Sequence, residues 1–187
     1  MRRLIPDPGP TTVEKQLSSY RPSEHARDER PFVAMNFAAT VDGRATIGGV
    51  SGPIGSETDT AMLVGLRARF DAVMIGAGTK RAEGYDEIGR RLIVVESGPE
   101  GRVDLPALLS SLREEGVRAL LCEGGPTLHG ALQAADLVDD LFLTIAPKLA
   151  GGDAPRIVEG ELPAVVPLEL AWLLEQDGEL FARYRRR

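Results

Sequence analysis

Two short glycine-rich stretches carry the residues best suited to chemistry in this chain. In the first, the apolar run 119–122 is followed at once by Glu123-Gly124-Gly125 and then Pro126. Pro126 suits the first residue of a helix, because the N–H it lacks is one that a helix start leaves unbonded. Leu128, Ala131, Leu132 and Ala135 continue at helical spacing. A strand that ends in Gly-Gly and runs straight into a helix exposes bare amides at the positive end of the helix dipole, which suits phosphate. The same pattern also fits a plain strand-to-helix turn, and spacing alone does not separate the two. Glu123, a carboxylate at the carboxyl end of a strand where ligands gather, favours a site. The second stretch, Gly76-Ala77-Gly78-Thr79, follows the apolar run 72–75 and is another candidate phosphate or cofactor edge. Neither stretch has P-loop spacing or a G-x-G-x-x-G fingerprint.

Other chemistries have less support. The single cysteine excludes a disulfide framework and a cysteine zinc site. Within a strand, Cys122 reads as a buried, inert thiol. His25 and His129 are far apart and lack an H-x-x-x-H partner, so no metal site is expected; His129 reads as a surface residue near a helix start. A formal charge of -6 and a pI near 5.1 argue against nucleic acid or a membrane surface as partner. No apolar run approaches the ~18 residues of a membrane span, and the N-terminus has no signal-peptide core. A cytoplasmic protein is expected.

The elements that must position these residues follow from periodicity. With 187 residues, 43% of them apolar, the chain can bury one core. Residues 1–30, rich in proline and mixed charge, read as an extended N-terminal arm with a short helix around 13–20; residues 31–187 read as a single domain. The run 32–41 is apolar on both faces, as a central strand covered on both sides would be, and Asn36 in its middle needs a partner. Asp42-Gly43 turns the chain, and 46–55 is a glycine-rich loop. Ser56-x-x-Asp59 is a capping box that opens a helix with Met62, Leu63, Leu66 and Phe70 on its apolar face, from which Arg67 and Arg69 project. Strands follow at 72–75, 92–95, 117–122 and 141–146. Asp104 caps a helix closed by Gly116. Asp177-Gly178, between apolar runs, predicts a hairpin. Strands alternating with helices make a three-layer α/β domain, with a mainly parallel central sheet and a C-terminal antiparallel hairpin.

With these pieces in place, the chain resembles the reductase domain of riboflavin biosynthesis. That family has a dihydrofolate-reductase-like fold and often forms the C-terminal half of a bifunctional deaminase-reductase. The matching stretches are TVDGRAT (40–46), SGP (51–53), LRARFDAVMIGAGTKRAEGY (66–85), LLCEGGPTL (120–128) and APKLAGG (146–152), in family order. The resemblance implies hydride transfer from NADPH to a ribosylaminopyrimidine 5′-phosphate, whose ring-opened sugar becomes a ribityl chain. It places Ala38, Thr46, Gly76, Gly78, Thr79, Glu83 and the turn Gly124, Gly125, Pro126, Thr127 and Leu128 along the cofactor. It places Ser51, Arg67 and Glu123 at the substrate, with Arg67 toward its phosphate. Asp42, beside the nicotinamide, and Glu123 are the catalytic candidates, although an aspartate that merely forms a turn has the same sequence signature. A homodimer is implied, with strand 141–149 and the hairpin as candidate surfaces.

The chain departs from the family where AEGYDEIGRR (82–91) replaces an acidic pair followed by Pro, Thr and a substrate-contacting Arg. Arg90 or Arg91 could substitute for that Arg, or be surface charge. Ser97 and Arg102 are candidate contacts for a 2′-phosphate. No deaminase zinc signature is present. Two other functions suit the same pieces. One is a pterin reductase of the dihydrofolate type, with Glu57 or Asp59 as proton donor. The other is a non-catalytic NADPH-binding relic.

Overall fold

A computed structural model describes residues 1–85, 88–96 and 103–187. The strands are β1 (Arg2–Ile5), β2 (Gly9–Pro10), β3 (Phe32–Thr40), β4 (Ala72–Gly76), β5 (Arg91–Val95), β6 (Ala119–Cys122), β7 (Asp140–Ala146), β8 (Leu168–Gln176) and β9 (Glu179–Arg186). The helices are α1 (Val13–Leu17), α2 (Glu57–Arg67), α3 (Ala77–Glu83), α4 (Leu105–Glu114) and α5 (Pro126–Ala134), with a 3-10 turn at Pro22–His25. The strands form one sheet in the order β2-β1-β8-β9-β7-β3-β6-β4-β5. From β5 across to β7 every pairing is parallel; β9, β8, β1 and β2 extend the sheet antiparallel. This is the expected three-layer α/β architecture.

Strand alternation sorts the core into two layers. Val33, Met35 and Phe37 of β3, with Met74 and Leu120, pack against Leu109, Leu112, Leu128 and Leu132 of α4 and α5. Phe32 and Ala34, with Val73 and Leu121, pack against Met62 and Leu66 of α2 and Leu17 of α1. The helix ends follow their sequence signals. The Ser56 hydroxyl accepts from the Thr58 and Asp59 amides, and Asp104 Oδ1 accepts from Ala107 N at 3.0 Å. The hairpin turn has φ +53 at Asp177 and +82 at Gly178, the left-handed pair of a type I′ turn.

The N-terminal segment differs from a free arm. β1 pairs with β8, and Tyr20, buried at 7% exposure, donates from its hydroxyl to Asp140 at 2.9 Å. α1 closes on α2 at Gly65, where a Cβ would lie 2.9 Å from Leu17. The strand escapes a local reading because Arg2–Ile5 has no apolar alternation, and its partner β8 lies more than 160 residues away. α3 is also absent from the sequence reading. It starts directly from β4, where Gly76 and Gly78 mimic a loop, and ends after seven residues at Gly84, φ +66.

Candidate active site

The glycines meet at the carboxyl ends of β4 and β6, in the middle of the parallel sheet. Gly76 N donates to Gly124 O at 2.8 Å, and Glu123 N to Met74 O at 3.0 Å. A Cβ on Gly76 would stand 3.5 Å from Gly125 N, and one on Gly125 only 3.0 Å from Thr79 Oγ1. A side chain at Gly125 would therefore crowd the Thr79 hydroxyl, and Gly124, at φ +117, holds a backbone conformation that L side chains rarely adopt. The Gly124–Gly125 peptide is cis. Gly125 is the N-cap of α5, no side chain fills that cap, and Pro126 follows. The amides of Thr127 and Leu128 belong to the first turn, where helix geometry supplies no acceptor.

Above this edge lies a cleft of about 970 Å³. Thr46, Gly76, Gly78, Thr79, Glu83, Gly125, Pro126, Thr127 and Leu128 all line it. Leu105, Pro106, Ala131, Ala134 and Ala135 make its far end apolar. Gly124 lies beneath, its Cβ position 3.6 Å from Thr79 Oγ1. The cleft fits a dinucleotide in volume, in its bare amides at a helix start and in a backbone cradle that side chains would fill.

Arg67 and Glu123 meet on the other face of the sheet, toward α2. Arg67 Nε and Nη2 donate to Glu123 Oε1 and Oε2 at 2.8 and 2.6 Å, a two-pronged pair. Arg67 also lies over the Tyr85 ring, 5.5 Å from its centroid. Burial and the adjacent Glu123 charge push the Tyr85 hydroxyl well above its ordinary pKa, so Tyr85 stays protonated. The Arg67 side chain is thus no solvated helix face. A guanidinium has five N–H bonds; two go to Glu123 and the Tyr85 hydroxyl also accepts from it, which leaves the rest of the fork for an anion. Asn36 is the neighbour of Glu123 in this face, since Met35 pairs with Cys122 one step earlier. Half-buried in a central strand, Asn36 has no hydrogen-bond partner for its side-chain amide among the described residues. Ala38 follows two residues on, beside Thr144 of β7.

The loop after β3 closes the site from above. Ser51 is exposed, and its backbone N, rather than its hydroxyl, donates to Glu83 Oε1 at 2.7 Å. Lys148 Nζ donates to Pro53 O and Ile54 O, both at 2.8 Å. Asp42 is an anchor: its carboxylate accepts from the Thr40 hydroxyl at 2.5 Å, Ala150 N at 3.1 Å and Gly151 N at 2.7 Å. The Thr40 hydroxyl first, then these amides, hold its pKa down to about 2. A carboxylate so acidic carries no proton near neutrality, and Asp42 is not among the residues lining the cleft, so its contacts here are those of a turn anchor.

Several other expectations change. His129 is fully buried: its Nδ1 lies 2.7 Å from Ile157 O and its Nε2 3.1 Å from Gln133 Nε2. These partners fix a neutral ring with the proton on Nδ1, and burial lowers its pKa to about 4. The surface reading failed because the covering chain lies across the helix from residues 153–160. Arg90 donates to Arg67 O and Ala68 O at the end of α2, and Arg91 pairs with Glu115, so neither joins the site. Glu57 is exposed; Asp59 is half-buried beside the Thr144 hydroxyl, and burial raises its pKa. Ser97 and Arg102 lie outside the described residues. Cys122 is buried, its thiol pushed up to about 12 by burial. Among the described residues, no group of three His, Cys, Asp or Glu side chains forms a metal site, and no helix is long and apolar enough to cross a membrane. Tyr85 and Asn36 are the members that sequence reasoning missed. An amide inside an apolar central strand was the available signal for Asn36.

The chain matches the family model described as RibD C-terminal domain over residues 31–91 and 83–178. It is 29% identical over 183 residues to the 2,5-diamino-6-ribosylamino-4(3H)-pyrimidinone 5′-phosphate reductase of Methanothermobacter thermautotrophicus, covering 70% of this chain and 84% of that one. It is 32% identical over 154 residues to the riboflavin biosynthesis protein RibD of Mycobacterium tuberculosis, covering 68% of this chain but only 45% of that protein. Among solved structures, a pyrimidine reductase-like protein from Corynebacterium diphtheriae superposes with a TM-score of 0.76 at 20% identity, covering 95% of this chain and 99% of that one. Enterococcus faecalis dihydrofolate reductase superposes with a TM-score of 0.62 at 16% identity, over 83% and 96% of the two chains. At these identities the structural likeness is one of fold.

Proposed function

The chain belongs to the RibD C-terminal domain family, and from that membership, the glycine-lined cleft and the Arg67–Glu123 pair behind it we propose that it is an NADPH-dependent reductase of a ribosylaminopyrimidine 5′-phosphate. The observation that carries the reading is the Gly76–Gly124–Gly125–Thr79 cradle at the start of α5, back to back with the Arg67–Glu123 pair. The cofactor supplies a hydride when bound. The α5 amides and the three glycines would hold its diphosphate, with Thr46 and Glu83 bordering the cleft.

On the substrate side, the free N–H groups of Arg67 offer a planar donor set to a phosphate or sugar oxygen, and Glu123 keeps that guanidinium aimed. Asn36 offers one donor pair and one acceptor to the same ligand. The reduction delivers a hydride to the anomeric carbon of the ring-opened imine and a proton to its nitrogen. The protein's main task is alignment, holding donor and acceptor carbons about 3–3.5 Å apart. A cytoplasmic homodimer with no nucleic-acid or membrane partner accords with the reading.

The test is NADPH oxidation with the ribosylaminopyrimidine phosphate, with the ribityl product identified by mass. Absence of both turnover and NADPH binding removes the proposal. Binding without turnover on pyrimidines and pterins supports a relic instead. A second reading, pterin reduction, is favoured by Asp59, whose half-buried carboxyl on α2 is raised toward its protonated form. Turnover of dihydrofolate that is abolished in Asp59→Asn would establish it.

A further inference from the structure

We propose that Arg81 reads the phosphate on the adenosine ribose of the bound cofactor and so selects NADPH over NADH, an inference that rests on the reductase reading. The two ends of the cleft are chemically distinct. Thr46 and Gly49 close one end, next to β3, while Val95, Leu105, Pro106, Ala131, Ala134 and Ala135 line the other. A hydride donor must lie near the face that carries Arg67 and Glu123, so the nicotinamide takes the β3 end. The adenine then takes the apolar end, and its ribose lies between that end and the diphosphate on α5.

Helix α3 borders this path, and its geometry sets its side chains on different faces. Thr79 faces Gly125, and Glu83 reaches the Ser51 amide, so both point toward the β3 end. Arg81 is two residues from each, about 200° round a helix of 3.6 residues per turn. It therefore stands on a different face of α3 from Thr79 and Glu83 while still lining the cleft, whose lining also includes Val95 at the end of β5. Arg81 lines the cleft, is exposed, and has no ion-pair or hydrogen-bond partner among the described residues.

The charge balance makes this side chain decisive. Among the described lining residues, only Arg81, Glu83 and Asp104 are charged, so Arg81 is the one cation there. Asp104 caps α4 at the apolar end, and the chain carries a net charge of -6. A 2′-phosphate dianion entering this region meets a repulsive background unless a guanidinium offsets it, and a planar fork suits phosphate oxygens.

The test is a binding titration followed by nucleotide fluorescence, with NADPH and NADH as ligands and 2′,5′-ADP and 5′-ADP as competitors. Arg81→Ala should weaken NADPH and 2′,5′-ADP about tenfold or more, the worth of one charge-assisted hydrogen bond, and leave NADH and 5′-ADP unchanged. Arg81→Lys should recover part of the loss. An equal effect on both dinucleotides, an unchanged NADPH to NADH ratio, or a wild-type protein without preference overturns the assignment. A wild-type protein that binds neither dinucleotide overturns the reductase reading itself. Because the residue is exposed, a folding defect is not a competing outcome, and a thermal melt checks this.

Discussion

Glu123→Gln is the sharpest single test of how the substrate side is built. The Glu123 side chain is 2% exposed and that of Arg67 19%, and they meet through two contacts of 2.8 and 2.6 Å. Breaking a buried ion pair by removing one charge costs about 3–5 kcal/mol, because the remaining charge stays desolvated. Two features lower that cost here: the guanidinium is not sealed from solvent, and it keeps the face of Tyr85. Glutamine also retains one acceptor, so about 2–3 kcal/mol is expected. For a chain of this length that lowers Tm by about 5–10 °C. Calorimetry should show this fall together with loss of turnover. The double variant Arg67→Met, Glu123→Met should regain most of the lost stability and remain inactive, since apolar replacement of both partners leaves no buried charge. A Glu123→Gln protein that melts with wild type, or a double variant that melts lowest of all, would refute a coupled buried pair.

Four further outcomes follow from other contacts. Asn36→Leu should leave Tm unchanged or slightly higher, because the amide has no partner to lose, while kcat/KM for the pyrimidine phosphate falls about tenfold or more; unaltered kinetics would exclude a substrate contact. Asp42→Asn should raise KM for the cofactor without moving either limb of the pH profile, since a group held near pKa 2 does not titrate in the working range; loss of a limb would restore it as an acid. Gly130→Ala should cost about 2–3 kcal/mol by urea titration, because its Cβ would meet the Glu159 carbonyl oxygen at 1.9 Å; an undisturbed midpoint would show that the covering chain is loose. His129 has a folded pKa of about 4 against an unfolded 6.5, so between those values only the unfolded chain takes up the proton. Stability is then full above pH 6.5 and falls toward pH 4 by about 3 kcal/mol, a slope that His129→Gln should flatten when urea midpoints are compared at pH 7.5 and 4.5.

What the sequence reveals is what local physics determines. β3 is legible because nine consecutive residues fill both faces of a buried strand, and α2, α4 and the hairpin because Ser56, Asp104 and Asp177-Gly178 carry their end signals within four residues. The glycine cradle is legible for the same reason, since a strand, two glycines and a helix-opening proline are contiguous. The pairings that complete the site are not local. β1 finds β8 through backbone hydrogen bonds that have no side-chain signature. His129 is buried by residues nearly thirty positions further along the chain. Arg67 meets Glu123 across 56 residues, and each taken alone reads as surface charge or as a ligand contact. Resemblance assigned both to the substrate, and only geometry adds that they satisfy one another first.

On the proposed reading, that mutual satisfaction is how an acidic chain would hold an anionic substrate. An isolated Arg67 would swing freely on a helix surface, and an isolated Glu123 at a strand end would repel phosphate. Paired in two-pronged geometry, both carboxylate oxygens are engaged and the guanidinium is fixed in plane with its remaining N–H bonds turned from Glu123. The same strand end does two jobs through one residue step. Glu123 faces α2 and orients the cation, while Gly124 and Gly125 turn the backbone beneath Thr79 on the opposite side. β3 repeats the division, with Phe37 stacked on His129 at 5.0 Å toward α5, and Asn36 and Ala38 toward α2. Two ligands on opposite faces can therefore meet only where these strands end.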